Sequence, residues 1–505
     1  MCKKSPIKKV VNVSLVSQCA LTAADRAISA QGTIDVLFDD LLLEIFDLHR
    51  EEVTRRYPVM TAWKWTTLAQ VCRRWRAIIL ASPRRLHLRV TCYPGTPVKK
   101  SLDIWPPFPI AIICFPSHML EGRKGEDNLV AALEHRDRIS DIYIVDPWME
   151  RYLDAMQEPL PALTDLYLGT FFRDSLVLPD TFLGGYVPLL RSFTLKNISF
   201  PAFPKFVLHA TNIVTLRLFE LRASDHVSLS PEVMAACLAA LPHLGFLSIQ
   251  FRYDTISPLQ TTPPPLTHTV LPSLTDFRFM GATVYLEDFI EQIDTPLLHE
   301  LRIEFFRVPI LHTPELYQFI DRTQSLKPFN PARVKLFDYK TEMTLGSPTR
   351  FQLETGCDEP GQQLSSLTQI CNVHFPFLSQ VDQLDIYKAS DVELVGRNER
   401  GPSQWLKLLR PFSGVRSLYV YDGLAPLVAG ALRELTGERT MEVLPALEKL
   451  SFDVLKLSGR TRDIVESFIA ARQVSDRPVV VQLQKRRSRP KIGTPDYSSE
   501  DDSEL

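Results

Sequence analysis

From about residue 136 onward, the apolar positions of this chain follow a nine-residue phrase, which in its fullest form reads L-P-x-L-x-x-L-x-L. The last positions of the phrase alternate apolar and polar side chains, a pattern that predicts a short strand with one buried face. Ten copies occur in chain order, the first of them degenerate, at residues 136–144, 160–168, 187–195, 210–218, 241–249, 271–279, 295–303, 377–386, 413–420 and 444–452.

The spacing of these copies predicts a repeat architecture. The seventh positions of the first seven copies lie 24, 27, 23, 31, 30 and 24 residues apart, and the gaps then widen to 35 at Leu336 and 48 at Leu384. Strands at this period are typical of leucine-rich repeats, because one repeat cannot bury its apolar face alone and stacking buries a continuous core. Those first seven positions are Ile142, Leu166, Phe193, Leu216, Leu247, Phe277 and Leu301.

Helices are expected between the strands. Ser230, Thr313 and Ser403 each precede a helical pattern as a candidate capping hydroxyl, and proline follows the first two at the first helical position. Residues 335–353 predict an extra hairpin around Gly346. That hairpin and residues 254–270 are inserts of the kind on which solenoids build partner-specific loops. A chance run of leucines is the alternative, and ten ordered copies separated by helices argue against it.

Two apolar helices are predicted in the N-terminal region, between about residues 34 and 85. Residues 39–48 carry two acids in their first turn and then so many apolar side chains that a lone helix would need burial on two sides. Residues 62–80 show a regular apolar stripe, with three arginines lying off it. One of the apolar sides could face another protein. The alternative is a helical hairpin that caps a larger domain.

Composition limits the classes of function. The 57 basic and 59 acidic side chains nearly cancel, so no overall field favours nucleic acid or an anionic membrane, and we expect neither as a partner. The longest strongly apolar stretch, residues 104–115, is too short and too rich in proline to cross a membrane. The 8 cysteines include no CxxC pair, which favours a reducing compartment, in the cytoplasm, the nucleus or both.

The sequence contains no convincing catalytic constellation, and we therefore expect a protein that is not an enzyme and has no cofactor or metal. Residues 135–137 spell the kinase triplet HRD, but Ile142 stands where that loop needs asparagine. Cys371 and His374 could supply two zinc ligands, yet a second pair at usable spacing is missing.

The N-terminal helices carry a resemblance to a known family. The segments LFDDLLLEIF (residues 37–46) and LAQVCRRWR (residues 68–76) resemble an F-box, with Phe38 in place of the usual proline and a longer segment between the two halves. Further segments resemble the extended F-box proteins with leucine-rich repeats that are abundant in mushroom-forming (basidiomycete) fungi: PGTPV (94–98), LDIWPP (102–107), QLSSLTQIC (363–371) and WLKLLRPF (405–412). The similarity covers roughly residues 34–484.

Composition, the repeat pattern and this resemblance together predict an α/β chain with four parts: a disordered leader (1–33), a small helical F-box-like module with a linker (34–115), an irregular leucine-rich-repeat horseshoe (116–484) and a disordered tail (485–505). The resemblance implies a substrate receptor of a cullin-type ubiquitin ligase; the alternative is a leucine-rich-repeat scaffold outside ubiquitination. By resemblance, a Skp-family adaptor, which links to cullin, would be bound by Leu37, Leu41, Leu42, Ile45, Leu68, Val71 and Trp75. An unknown target protein would meet the exposed strand positions Tyr167, Thr194, Arg217, Ser248, Arg278 and Arg302, whose three arginines hint at an acidic ligand.

Overall fold

The computed structural model describes residues 37–56, 68, 70–80, 88–92, 98–104, 109–114, 126–171, 176–222, 229–252, 268–306, 313–337, 339–356, 363–388, 401–421, 423–435, 437–452 and 459–483. The expected leader and tail, and most of the insert at 254–270, lie outside these residues. The chain divides into two compact units, Met1–His87 and Leu88–Leu505, which we call the N-terminal and the C-terminal unit.

In the N-terminal unit, two helices pack around a small apolar core. Helix α1 spans Asp39–Arg56 and helix α2 spans Arg73–Leu80. The sequence placed the end of α1 near residue 48 and a loop after it, whereas eight further residues continue the helix. The prediction erred because those residues are polar and charged, and so show no apolar period, although nothing in them breaks a helix. The buried core consists of Leu42, Phe46, Ile78 and Ile79.

The C-terminal unit is built on a 16-stranded sheet in which almost all neighbouring strands are parallel. The helices of this unit alternate with the strands, and the buried side chains of both form one apolar core. The strands are β1 (Leu88–Thr91), β2 (Ile110–Cys114), β3 (Ile139–Val145), β4 (Asp165–Gly169), β5 (Leu176–Val177), β6 (Ser192–Lys196), β7 (Ile198–Ser199), β8 (Thr215–Leu221), β9 (Phe246–Phe251), β10 (Thr269–Val270), β11 (Asp276–Gly281), β12 (Ile293–Asp294), β13 (Glu300–Phe305), β14 (Ala332–Leu336), β15 (Lys340–Leu345), β16 (Phe351–Gly356), β17 (Gln383–Lys388), β18 (Ser417–Val420), β19 (Lys449–Phe452) and β20 (Val480–Leu483).

The helices of this unit are α3 (Val98–Ile104), α4 (Glu126–Leu133), α5 (Phe203–Val207), α6 (Pro231–Ala239), α7 (Thr283–Ile290), α8 (Pro314–Arg322), α9 (Gln363–His374), α10 (Pro402–Leu409), α11 (Ala425–Arg433) and α12 (Gly459–Val474). Strands β5 and β7, and β10 and β12, form two separate two-stranded pairs. Short 3₁₀ helices occur at Arg136–Arg138, Met149–Tyr152, Asp154–Met156, Phe182–Gly185, Gln324–Leu326, Pro376–Gln380 and Gly437–Met441.

The predicted repeat register is confirmed through the first seven copies. Their seventh positions pair with one another across β3, β4, β6, β8, β9, β11 and β13, and all of them are buried. This row of paired residues continues on β2, where Ile112 pairs with Ile142, and on β1, where Val90 pairs with Ile112. This mixed α/β unit with a large parallel sheet is consistent with a repeat solenoid of the leucine-rich-repeat kind.

The parallel order is interrupted after β13 by the hairpin that the sequence predicted. Strand β15 is antiparallel to both β14 and β16, and β16 rather than β14 lies beside β13. As a result, the row continues through Ala332 to Leu384, and Leu336 lies four residues beyond it. The assignment of Leu336 to the seventh position was wrong, because β14 repeats apolar residues at every second position and the pattern alone does not fix its register.

Strands β1 and β2 lie in the stretch that the sequence grouped with the N-terminal module and its linker, residues 34–115. They pair in parallel with each other, and β2 pairs with β3. The large sheet therefore begins at Leu88, 28 residues before the predicted solenoid boundary at 116. Neither strand carries the leucine phrase, and residues 104–115 resemble a proline-rich linker, so the repeat pattern could not reveal them.

The three predicted helix starts differ in outcome. The Ser230 hydroxyl caps α6 by accepting from the backbone N–H of Val233. Thr313 occupies the N-cap position of α8, but its buried hydroxyl makes no hydrogen bond. Ser403 lies inside α10, whose N-cap is Gly401. Of the three predicted capping hydroxyls, only that of Ser230 therefore caps its helix.

Adjacent repeats are also joined by a serine or threonine that precedes an aspartate at the strand start. The hydroxyls of Ser140, Thr164 and Thr275 each donate to a main-chain carbonyl of the preceding repeat. Each hydroxyl also lies within hydrogen-bond distance of the aspartate that follows it. In the sequence this link appears as S-D or T-D at the start of the strand.

We expect Thr275→Val to lower the free energy of unfolding by about 1 kcal/mol, because the substitution removes the hydroxyl that contacts the carbonyl oxygen of Gly245 at 3.0 Å and the carboxylate of Asp276 at 2.6 Å. Urea unfolding followed by circular dichroism measures the change. Thr211→Val is the control, since Thr211 is exposed. Equal unfolding midpoints for the two variants would show that this hydroxyl does not join the repeats.

Candidate functional site

A stripe of exposed apolar side chains runs along α1. Phe38, Leu41, Ile45 and Leu48 are 76%, 45%, 45% and 65% exposed, and they follow one another at helical spacings of three, four and three residues. Such side chains lie on one face of a helix and extend over about 15 Å. We call these four residues the α1 stripe. Four large apolar side chains in one row are typical of a surface that another protein covers.

The structure distinguishes exposed from buried positions among the seven predicted adaptor-binding residues, which the sequence could not do. Leu41, Ile45 and Val71 are exposed, the last of them 58%. Leu42 is fully buried and belongs to the core of the unit. Partly buried positions against that core are taken by Leu37, Leu68 and Trp75.

Two contacts fix the orientation of α1 against α2. The ring of Trp75 lies 4.7 Å from that of Phe46, centroid to centroid. The Arg74 guanidinium donates to the carboxylate of Asp39, with Nη2 2.7 Å from Oδ1, and to the carbonyl oxygen of Leu37. The arginine and tryptophan of the RRW segment therefore act inside the unit, and they hold the start of α1 so that its stripe faces outward.

In the C-terminal unit, alternate strand residues form the exposed face of the large sheet, and the four predicted target-binding residues lie partly exposed on it: Tyr167, Arg217, Arg278 and Arg302. Tyr167 stacks on Tyr143 of the neighbouring strand with ring centroids 4.2 Å apart. Thr194 and Ser248, by contrast, are buried at 3% and 6% exposure. They were predicted as exposed, but short side chains between larger neighbours on adjacent strands are covered by them.

The arginines of this face are engaged with other groups of the sheet. The guanidinium carbons of Arg217 and Arg278 lie 4.6 Å and 5.0 Å from the centroid of the Phe246 ring, one on each neighbouring strand. Arg278 and Arg302 both pair with the carboxylate of Glu300. The positive charge of these arginines is therefore partly neutralised by Glu300, and two of the guanidinium groups are already in contact with Phe246. This weakens the prediction of a purely acidic ligand.

The same face becomes rich in carboxylates around the hairpin. Glu304, Glu354 and Glu342 lie in register on β13, β16 and β15. The Lys340 ammonium lies 2.6 Å from Glu354 Oε2. Burial, followed by the neighbouring Glu354 charge, raises the pKa of Glu342. Charges of both signs therefore alternate across this face of the sheet.

Chemical sites were sought among the same residues. Within the described ranges, no group of three or more His, Cys, Asp and Glu side chains could hold a metal ion. Cys371 is buried 3.9 Å from the Met343 sulfur, and burial raises its pKa to about 12, so the thiol stays protonated. No helix in the part of the chain that the structure describes is long and apolar enough to cross a membrane.

Comparison with known proteins adds little to this picture. No protein-family profile and no curated protein matches the sequence. Among solved structures, the chain is similar to the leucine-rich repeat-containing protein LegL7 from Legionella pneumophila, with 12% sequence identity over 78% of this chain and 99% of that chain and a TM-score of 0.28. A likeness at that TM-score carries no weight, so the repeat-solenoid assignment rests on the parallel sheet and its register.

Proposed function

We propose that this protein is a protein-interaction scaffold that serves as the substrate receptor of a cullin-type ubiquitin ligase. In this proposal the N-terminal unit binds a Skp-family adaptor, and the exposed face of the sheet binds a target protein. The chain itself catalyses nothing. It raises the effective concentration of target lysines near the ubiquitin-conjugating enzyme by holding both partners together.

One observation carries the adaptor half of this proposal: the α1 stripe lies outside the small core that the described residues of the N-terminal unit form. Leu42 and Phe46 of α1 pack in that core with Ile78 and Ile79 of α2, whereas the four stripe residues are exposed. Residues 37–46 and 68–76 resemble an F-box, and this resemblance implies that the partner covering the stripe is a Skp-family adaptor.

The target half is supported by the composition of the sheet face. Tyrosine and arginine dominate the energetics of protein interfaces, and both are held there in fixed positions by stacking and ion pairs. Stacking on Phe246 restrains Arg217 and Arg278, so less conformational entropy is lost when a partner binds.

The alternative is a repeat scaffold that takes no part in ubiquitination. The sequence departure at Phe38 favours it, since this residue is the most exposed of the α1 stripe and stands where F-boxes usually carry proline. In that case the stripe would be covered by some other partner.

The proposal is tested by purifying the tagged full-length chain from cells of its own organism and identifying the copurifying proteins by mass spectrometry. We expect a Skp-family adaptor and a cullin, together with proteins whose ubiquitination falls when the chain is removed. Purification of the folded chain without adaptor or cullin would contradict the receptor role and favour the alternative.

A further inference from the structure

The chain reaches the α1 stripe through a segment whose composition suits it to cover that stripe. The described residues begin at Leu37, and Phe38, the first residue of the stripe, follows at once. Residues 1–36 precede them in the sequence and lie outside the described residues. Among these, residues 10–24 read VVNVSLVSQCALTAA, with five large aliphatic side chains in the first seven positions and no charged side chain in the whole stretch. We call residues 10–24 the leader segment.

The connection between the leader segment and α1 is long enough for the segment to fold back. The 12 residues at 25–36 span up to about 40 Å when extended, whereas the stripe is about 15 Å long. A segment tethered in this way has an effective concentration on the order of millimolar at the stripe. It therefore meets the stripe far more often than a second copy does in a micromolar solution of the protein.

The charges on the two sides are complementary. Asp40 and Glu44 are exposed and lie four residues apart, along one flank of the stripe. Asp39, by contrast, already pairs with the Arg74 guanidinium. Residues 3–9, immediately before the leader segment, carry four lysines. An exposed ion pair contributes little by itself, so the apolar contact supplies most of the binding, and the lysines favour this flank of α1.

We propose that the leader segment docks on the α1 stripe of its own chain and covers it until the adaptor binds. The segment and the adaptor then compete for the same side chains, and the apparent affinity for the adaptor falls in proportion to the fraction of molecules whose stripe is open. Docking also keeps four large apolar side chains of the free protein away from other copies. The contact itself does not require an adaptor, and only the competition rests on the proposed function.

Carbene footprinting of the full-length protein, with the labelled residues located by mass spectrometry, tests the contact. We expect labelling of residues 37–48 to rise about threefold in Leu15→Asp, because the new charge opposes burial of the leader segment against the stripe. Gln31→Glu is the matched control, since it adds one negative charge to the connection and none to the leader segment. Its labelling should equal that of the wild-type protein, and peptides from α11 provide the internal standard.

Equal labelling of the wild-type protein and Leu15→Asp would overturn the inference, whatever the adaptor does. Protection of the stripe that disappears on dilution would overturn it as well, because a second copy would then be the cover.

Titration of both proteins with the Skp-family adaptor tests the competition. We expect Leu15→Asp to bind about threefold more tightly, in step with its gain in labelling. Equal affinities would exclude the leader segment as a competitor. If neither protein binds the adaptor while the difference in labelling remains, the proposed function fails and the docking of the leader segment stands.

Discussion

Arg472→Met should lower the free energy of unfolding by about 3 kcal/mol, the largest effect on stability that we expect of any single charged residue in this chain. Arg472 lies on α12 and is fully buried. Its guanidinium nitrogens donate to main-chain carbonyls of the preceding segment at 3.4, 3.2, 3.2 and 3.1 Å, those of Thr440, Leu444, Pro445 and Leu447.

The size of this effect follows from what the substitution leaves behind. Methionine fills a similar volume but donates nothing, so four carbonyl groups lose a charged donor. The carbonyl of Leu444 keeps the backbone N–H of Leu447, and each buried group that is left unsatisfied costs on the order of 1–3 kcal/mol. Part of that cost is offset, because a guanidinium no longer has to leave water when the protein folds. Burial also lowers the pKa of Arg472, because removing the guanidinium from water disfavours its charged form.

Urea unfolding followed by circular dichroism measures the loss, and hydrogen–deuterium exchange of residues 459–474 locates it. Unfolding of a repeat array need not be a single transition, so the local measurement is the sharper of the two. The matched control is Arg462→Met on the same helix, where the side chain is exposed and we expect a change below about 0.5 kcal/mol. Similar losses in both variants would mean that the carbonyls find other donors.

Ile45→Asp should weaken adaptor binding about thirtyfold, which corresponds to about 2 kcal/mol or more. Ile45 lies within the α1 stripe and is 45% exposed, so the substitution places a charge on the proposed adaptor surface and not in the core. Binding would have to remove that carboxylate from water without a partner for it. Titration calorimetry of the full-length chain with the Skp-family adaptor gives the affinity.

Two further variants separate binding from folding. Glu44→Gln alters an exposed neighbour outside the stripe and should leave the affinity within about twofold. Leu42→Ala removes a fully buried side chain, and we expect it to destabilise the unit by about 2–5 kcal/mol. Normal affinity in a folded Ile45→Asp variant, repeated with Leu41→Asp, would exclude the stripe as the adaptor surface.

The local parts of the fold could be read from the sequence because they depend on short-range patterns. The alternation in residues 160–168 and its later copies fixes which side chains of each strand face the core, and pairing of the equivalent position in each copy then sets the register between strands. The hairpin around Gly346 was equally visible, since turn residues between two alternating runs are a local signal. Where the pattern was absent, as in β1 and β2, the sheet went unnoticed.

The sequence alone therefore determined the repeat, the strand faces and the existence of an apolar two-helix segment, because each of these follows from residues close together in the chain. Only the tertiary structure decided that Leu42 is core while Ile45 is surface, since both satisfy the same helical period. It also decided that Glu287 caps α8 and that Arg472 donates hydrogen bonds to main-chain carbonyls about 30 residues earlier. It likewise decided that Arg278 and Arg302 pair with the same carboxylate. These partners are distant in the chain, and only the stacking of repeats brings them within bonding distance.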